Sequence, residues 1–383
     1  MSIVTNKSMV VDAVIFGGGV AGLWMLRSLR AKGYRVLLLE KTGLGGLQTM
    51  ASQGVLHGGL KYALNGVLSN ASETIRDMPG RWKACLDGEG EIDLSKVRMR
   101  ADHQILWSEG KVTSRITSFF ATRALSSRIK KLKTAPEALD HKAYRGVVYQ
   151  LEEPVIDVPN LVKVLADPAM DSVAHFTHAA FTEAGVVADG VEVQAGRIIF
   201  AAGEGNEALM AEAGVPGFPR MQTRPLHQVL VADDHLPPFY SICMGAGTKP
   251  VLVITTHETA DGTPVWYLGG QLAEAGVTRD ADEQIQTAKQ ELLRLMPWLS
   301  LEQARWKTLK INRAEPVTED GEKPAGAYCQ AFGRYVVCWP TKLVMAPLLG
   351  DELLRLMPDP LAATDATIDF PKPAFSHTPW EHL

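Results

Sequence analysis

Apolar residues run without a break from Val10 to Phe16 apart from Asp12, stop at Gly17-Gly18-Gly19-Val20-Ala21-Gly22, and return at Leu23, Trp24, Leu26 and Leu29. The first run predicts a buried strand, the glycines a tight turn, and the later spacing a helix ending at Gly33. Tyr34 to Glu40 is a second apolar strand, which completes a βαβ unit. Glycines punctuate Gly43 to Gly66, which predicts an extended loop followed by a short helix. Residues 113 to 134 set Arg115, Arg123, Arg128, Lys130, Lys131 and Lys133 beside Ile116, Phe119, Phe120 and Leu125, the pattern of a basic helix with an apolar face. Such a helix is either solvated and packed on its domain or lies as a lid or at a membrane surface.

Arg197 to Gly203 predicts a central parallel strand reaching a glycine. From about 221 to 312 the period changes to two, with strands at Val229–Val231, Pro250–Thr255 and Val265–Leu268 separated by Asp261-Gly262 and Gly269-Gly270, an antiparallel sheet. A helix from Asp282 to Met296, a strand from Arg334 to Cys338, a Trp339-Pro340-Thr341 turn and a helix from Leu343 to Leu356 complete the pattern. The proline-rich tail after Met357 is expected to be poorly ordered.

At 383 residues the chain has room for two domains around a cleft. A net charge of -4 gives no field suited to nucleic acid, so the partner expected is a small molecule. Cys85, Cys243, Cys329 and Cys338 make no C-x-x-C or Cys/His spacing, which suits reduced thiols in a cytoplasm-like compartment and predicts no structural metal. No signal-peptide pattern or transmembrane run is present in the sequence, so the expectation is a cytoplasmic protein with, at most, peripheral membrane contact through 113–134.

The glycine cluster acquires chemical meaning from its context. Gly17 suits the turn, Gly19 lets backbone approach a pyrophosphate, Gly22 allows close helix–strand packing, and the N–H groups opening the helix at Val20 and Ala21 face an anion. Glu40, ending the next strand, is placed to accept from a ribose diol and disfavours a 2′-phosphate. This fingerprint serves FAD and NAD alike.

The stretch from Glu40 through Lys41, Gly45, Gly46, Thr49 and His57 to Tyr62 is similar to the segment after the second strand in the D-amino-acid oxidase and FAD-dependent glycerol-3-phosphate dehydrogenase superfamily. Leu56-His-Gly-Gly-Leu-Lys-Tyr62 looks especially like the latter, and Glu153-Pro-Val-Ile-Asp157, Ala201-Ala202-Gly203 and Asn312 to Gly321 extend the resemblance over most of the chain. It implies a Rossmann-like, glutathione-reductase-like FAD-binding domain (1–80, 145–215 and 313–383) interleaved with an α+β substrate domain on an antiparallel sheet (81–144 and 216–312). The overall class is α/β.

Carried over by position, the resemblance puts Gly46, Thr49, Ala51 and Ser52 along the flavin's diphosphate and ribityl side, and Gln53, Gly54 and His57 beside the ring. His57 is then a flavin or substrate contact, a structural histidine, or a covalent attachment point. Arg313 is the first candidate to hold a substrate carboxylate, with an ion pair to Glu315 or Glu319 as the alternative. Some sarcosine oxidases resemble this stretch but place a flavin-linked cysteine at that position, so an arginine there favours non-covalent FAD. Relatives show a glycine-histidine-glycine turn where this chain has Pro340-Thr341-Lys342. Lys342 in that turn would stabilise negative charge on the reduced flavin, or would be an exposed helix-start lysine. Tyr62, Arg224, His227 and His257 are candidate substrate contacts.

The resemblance implies hydride removal from a carbon bearing a hydroxyl or amine in a small anionic substrate, a 2-hydroxy acid or polyol phosphate being favoured, with oxygen or a quinone as electron acceptor. Amine or amino-acid oxidation producing peroxide is the alternative enzyme reading. A flavin-bearing subunit or assembly factor without turnover is the alternative from another class.

Overall fold

The computed structural model describes residues 8–58, 75, 77–109, 129–245, 247, 249–317, 326–361 and 369–383. Strand β1 (Ser8–Phe16), helix α1 (Val20–Ala31) and strand β2 (Val36–Glu40) form the expected βαβ unit, with β1 and β2 parallel. Strand β3 (Val191–Phe200) lies parallel on the other side of β1, and Val173–His175 lies parallel beyond β2. The late hairpin Tyr328–Phe332 and Tyr335–Trp339 completes this sheet by placing its second strand parallel to β3. Both faces of the sheet are covered, which is why its strands read as continuous apolar runs. On one face Leu23, Trp24 and Leu26 of α1 join Leu349 and Leu353 from the helix Ala346–Leu356; on the other Phe16, Phe200 and Phe176 meet Met210.

The second sheet is mostly antiparallel. Its principal strands are β4 (Met221–Ala232), β5 (Pro250–Glu258), β6 (Pro264–Gly269) and β7 (Arg305–Pro316), with β4 between β6 and β7. One face packs Val229, Val231, Trp266 and Leu268 against Ala288 and Leu292 of the helix Ala281–Leu295. Alternation sends Leu226, Gln228 and Leu230 to the opposite face, toward the first sheet.

Three expectations need correction: the domain boundaries, at two places, the basic helix, and the tail. Residues 81–97 belong with the parallel-sheet core, because Trp82, Ile92 and Leu94 pack there and the Trp82 ring lies 4.8 Å from Trp24. Val148–Leu151, assigned to the FAD-binding domain from sequence, instead pairs within the second sheet. Most of the basic segment at 113–134 lies outside the described residues, but its end, Ile129–Lys131, is a strand against Val148–Leu151 rather than the last turn of a helix.

The tail is the third. Residues 369–383 run as a strap: Pro371 O accepts from His175 N, Ala374 O from Leu44 N, and Leu44 O from Ser376 N. Trp380, 3% exposed, then anchors the strap on the second sheet beside Tyr267. The prolines of this segment suggest poor order, but one large aromatic side chain offsets the ordering entropy of a short segment. Among the described residues no helix is long and apolar enough to cross a membrane.

Candidate active site

Between the ends of the parallel strands and the second sheet lies a cavity of about 660 Å³, in the size range of cofactor and ligand sites. Its lining comes from the β1–α1 turn, the end of β2, the 41–57 loop, Ala202 and Gly203 after β3, the inward faces of β4 and β7, and Trp339 to Leu343.

Local sterics dictate the first half. Gly17 has φ +109°, and a Cβ there would sit 2.6 Å from the Ala201 carbonyl oxygen; a Cβ on Gly22 would sit 1.9 Å from the Gly17 oxygen. Only glycine permits both the turn and the contact that aims α1 at the cavity. Gly19, the N-cap, supplies no side-chain cap, and the Val20 N–H is met by Thr49 Oγ1 at 3.1 Å. The helix therefore presents its positive end to the cavity through Gly19, Val20 and Ala21. The Glu40 carboxylate accepts from Gly18 N at 2.6 Å through Oε2, and from Thr42 N, Thr42 Oγ1 and Gly43 N through Oε1. It thus fixes the turn and the following loop, while Oε2 retains acceptor capacity at the cavity wall.

Strand parity dictates the second half. Arg224, Leu226 and Gln228 on β4 and Ile311, Arg313 and Glu315 on β7 are spaced by two and line the cavity together. Arg224 and Arg313 are directly opposed in the register, and Arg313 Nε donates to the Arg224 carbonyl at 3.2 Å. Like charges directly across a strand pair repel. Glu315, 3% exposed, answers part of that charge with Oε1 3.4 Å from Arg224 Nε.

His57 enters from the loop side, with Nδ1 3.0 Å from Oε2 of Glu153, and Gly58 N donates to Oε1 of the same carboxylate at 2.8 Å. Glu153 is 1% exposed. Because a carboxylate only accepts, Nδ1 of the neutral ring carries the proton and Nε2 the lone pair. Opposite, Lys342 N donates to Pro340 O at 2.6 Å across Thr341, whose φ is +56°. This three-residue turn puts a β-branched residue in the left-handed region, a strained conformation of the kind concentrated at functional sites. Asn206 accepts from Ala202 N and donates to the Cys338 carbonyl, which ties the strand leading into this turn to the segment after β3.

Of the residues anticipated from sequence, Gly17, Gly19, Val20, Ala21, Glu40, Lys41, Gly46, Thr49, Ala51, Ser52, Gln53, His57, Ala202, Gly203, Arg224, Arg313, Thr341 and Lys342 line this one cavity. Gly22 and Gly54 lie behind it and shape the backbone; Gly54, at φ +73°, accepts from Ile156 N. Tyr62 lies outside the described residues. Two candidates are corrected. His227 has the opposite parity to Arg224 on β4, so it turns away, and its Nδ1 meets Gly276 O at 2.9 Å. His257 is covered by Trp380, stacked at 3.7 Å, and bonded to Thr255 Oγ1; burial pushes its pKa down to about 3, with Arg100 adding to the effect.

Sequence reasoning missed the roles of Glu153, Gln228 and Asn206. Parity from Arg224 would have found Gln228; Glu153 lies in a stretch the resemblance covers, but its role depends on His57, and that of Asn206 on Cys338, both far off in sequence. Tyr267 joins the same network, its hydroxyl bonded to Ala51 O at 3.0 Å and to Gln228 Oε1. Among the described residues one group, His377, Glu381 and His382, brings possible metal-donor atoms within 4.8 Å of one another; it lies on the strap and not in the cavity lining.

A family model described as FAD dependent oxidoreductase (DAO) matches residues 12–324. The chain is 45% identical over 386 residues to a probable FAD-dependent oxidoreductase, PA4991, of Pseudomonas aeruginosa, covering 98% of both chains. The crystal structure of that protein superposes with a TM-score of 0.86 at 39% identity, covering 98% of this chain and 99% of the other. Glycine oxidase from Geobacillus kaustophilus (TM-score 0.63, 18% identity, 93% and 96% covered) shares the fold. So does the dithionite-reduced, FAD-bound L-α-glycerophosphate oxidase from Mycoplasma pneumoniae (TM-score 0.64, 16% identity, 91% and 94% covered).

Proposed function

Since the chain belongs to the DAO family of FAD-dependent oxidoreductases, we propose that it oxidises a small anionic substrate at a carbon bearing a hydroxyl or an amine, with a 2-hydroxy acid or polyol phosphate favoured. The cofactor suits the cavity: a helix N-terminus lining it at Gly19–Ala21 answers a pyrophosphate, and Glu40 a ribose hydroxyl. When bound, FAD supplies a two-electron hydride acceptor.

The observation that carries the substrate class is the opposed Arg224–Arg313 pair on the cavity wall. Two guanidiniums in register form a fork for a carboxylate or phosphate, and a bound anion relieves their mutual repulsion. That clamp orients the reacting carbon. His57 Nε2 takes the proton of the substrate's hydroxyl or amine while Glu153 holds the ring and stabilises the imidazolium that results. Lys342 adds positive charge to the opposite wall, which favours electron uptake at the cofactor. The electron acceptor in the second half-reaction is oxygen or a quinone.

The test is an anaerobic screen of the FAD-loaded protein against hydroxy acids, polyol phosphates, amino acids and their uncharged analogues, following loss of oxidised-flavin absorbance. Bleaching by an anion but not by its ester or amide is the expected result. Equal bleaching by the uncharged analogue would defeat the arginine clamp. Peroxide release in air separates oxygen from quinone as acceptor, and an amino acid as the active anion would favour the amine-oxidising reading over the hydroxy-acid one.

A further inference from the structure

The late hairpin carries two of the four cysteines opposite each other. Its strands, here β8 (Tyr328–Phe332) and β9 (Tyr335–Trp339), are joined by the two-residue turn Gly333-Arg334 and pair Cys329 with Cys338. In such a hairpin the pair flanking the turn, Phe332 and Tyr335, is the hydrogen-bonded kind, and the kinds alternate outward. Ala331–Val336 is then non-hydrogen-bonded, Gln330–Val337 hydrogen-bonded, and Cys329–Cys338 non-hydrogen-bonded. Across that kind of pair the Cα atoms stand about 4.5 Å apart and the side chains lie closest. That spacing falls within the roughly 4.4–6.8 Å a disulfide spans, and the two sulfurs are already 3.5 Å apart.

Nothing in the cofactor or substrate chemistry above uses these thiols. Cys85 is buried in the parallel-sheet core and Cys243 in the core of the second sheet, so neither competes for the pair. Cys338 is buried, while Cys329 is partly exposed and is the sulfur a small oxidant reaches first.

We propose that Cys329 and Cys338 are a modification site, a cross-strand dithiol that hydrogen peroxide converts reversibly to a disulfide. The Cys329 sulfur attacks one peroxide oxygen, the O–O bond breaks, and sulfenic acid and water form; the Cys338 sulfur then displaces the sulfenic oxygen as a second water. Two thiols and one peroxide become one disulfide and two waters. The sulfurs are oxidised and the peroxide oxygens reduced. Burial raises the Cys338 thiol pKa well above its ordinary value and keeps its thiolate scarce, so the second step relies on the 3.5 Å approach of the two sulfurs to bring the few thiolates into attack. The bond would fix the hairpin register one residue before Trp339, on the strand that delivers Thr341 and Lys342 to the cavity.

The experiment uses the full-length FAD-loaded protein with added peroxide, so it is independent of the enzyme's own acceptor. After acid quenching, free thiols are alkylated in denaturant and peptides mapped by mass. The expected result is a peptide pair linked through Cys329 and Cys338, lacking two hydrogens, absent from Cys329→Ser and reversed by dithiothreitol. Recovery of both alkylated cysteines under peroxide that fully oxidises glutathione would overturn the proposal. So would over-oxidation of Cys329 to the sulfinic acid with no linked peptide, because it would show that Cys338 does not resolve the sulfenic acid.

Discussion

Glu153→Gln changes one atom of a buried side chain and reverses the polarity of the group it holds. In the native protein Oε1 accepts from Gly58 N and Oε2 from His57 Nδ1. Glutamine keeps the Gly58 bond with its oxygen, and its amide nitrogen then faces His57 as a donor. The ring must answer by accepting at Nδ1, which moves its proton to Nε2. The nitrogen proposed to take the substrate proton becomes a donor. Losing a positioned general base costs about 10²–10⁴-fold in rate, which at about 1.36 kcal/mol per decade is about 3–5 kcal/mol on the barrier. Stability should change far less, since two charge-assisted bonds become two neutral ones at about 1 kcal/mol each, partly offset by no longer burying a charge. The assay is anaerobic stopped-flow reduction of bound FAD by the substrate found in the screen, beside a thermal melt. His57→Ala should fall by a similar factor, and the double variant no further, because the pair acts as a unit. Wild-type reduction rates in Glu153→Gln would refute the assignment of His57 as base.

The other expectations rest on separate residues. Lys342→Met removes a positive charge worth about 1–2 kcal/mol in a partly wet cleft, so the two-electron potential of bound FAD should fall by roughly 20–45 mV in a spectroelectrochemical titration; an unchanged potential removes Lys342 from this role. Arg313→Met should raise KM for the anionic substrate roughly 10- to 150-fold, the equivalent of about 1.5–3 kcal/mol for a hydrogen bond to a charged group, and an unchanged KM removes Arg313 from the clamp. His257 bears on acid stability. Its folded pKa of about 3 lies below an ordinary value of about 6.5, so the unfolded chain takes up the proton first and stability is lost as pH falls from about 6.5 toward 3. The loss should approach roughly 4–5 kcal/mol at the bottom of that window, and His257→Phe should flatten this part of the profile in denaturant melts. An unaltered slope in that variant would move the acid sensitivity to other groups.

The βαβ unit and its glycines were legible because their causes are local: an apolar run, a turn that only glycine permits, and an acid at the next strand end. The antiparallel block was also legible, through its period of two. The same period, applied strictly to β4, separates Arg224 from His227, three residues apart and therefore on opposite faces. His257 was misread for a different reason. Its strand position is compatible with the cavity side of the sheet, but Trp380 covers it, and that contact crosses more than a hundred residues. Glu153 and Asn206 were hidden in the same way, each fixing backbone or a ring far off in sequence. What the sequence concealed was long-range pairing, whereas residue chemistry was plain.

The strap that lays Ala374 and Ser376 alongside Leu44 has a kinetic meaning. Leu44 follows β2 directly, in the loop that Glu40 organises, so the outer edge of the cofactor cradle forms only once residues from opposite ends of the described chain have met. Closing so large a loop is slow, because its entropy is lost before any contact repays it. Folding of the protein should therefore reach a partly assembled parallel sheet before the cradle is sealed, and FAD present during refolding would act late, drawing the equilibrium toward the sealed state by binding it alone.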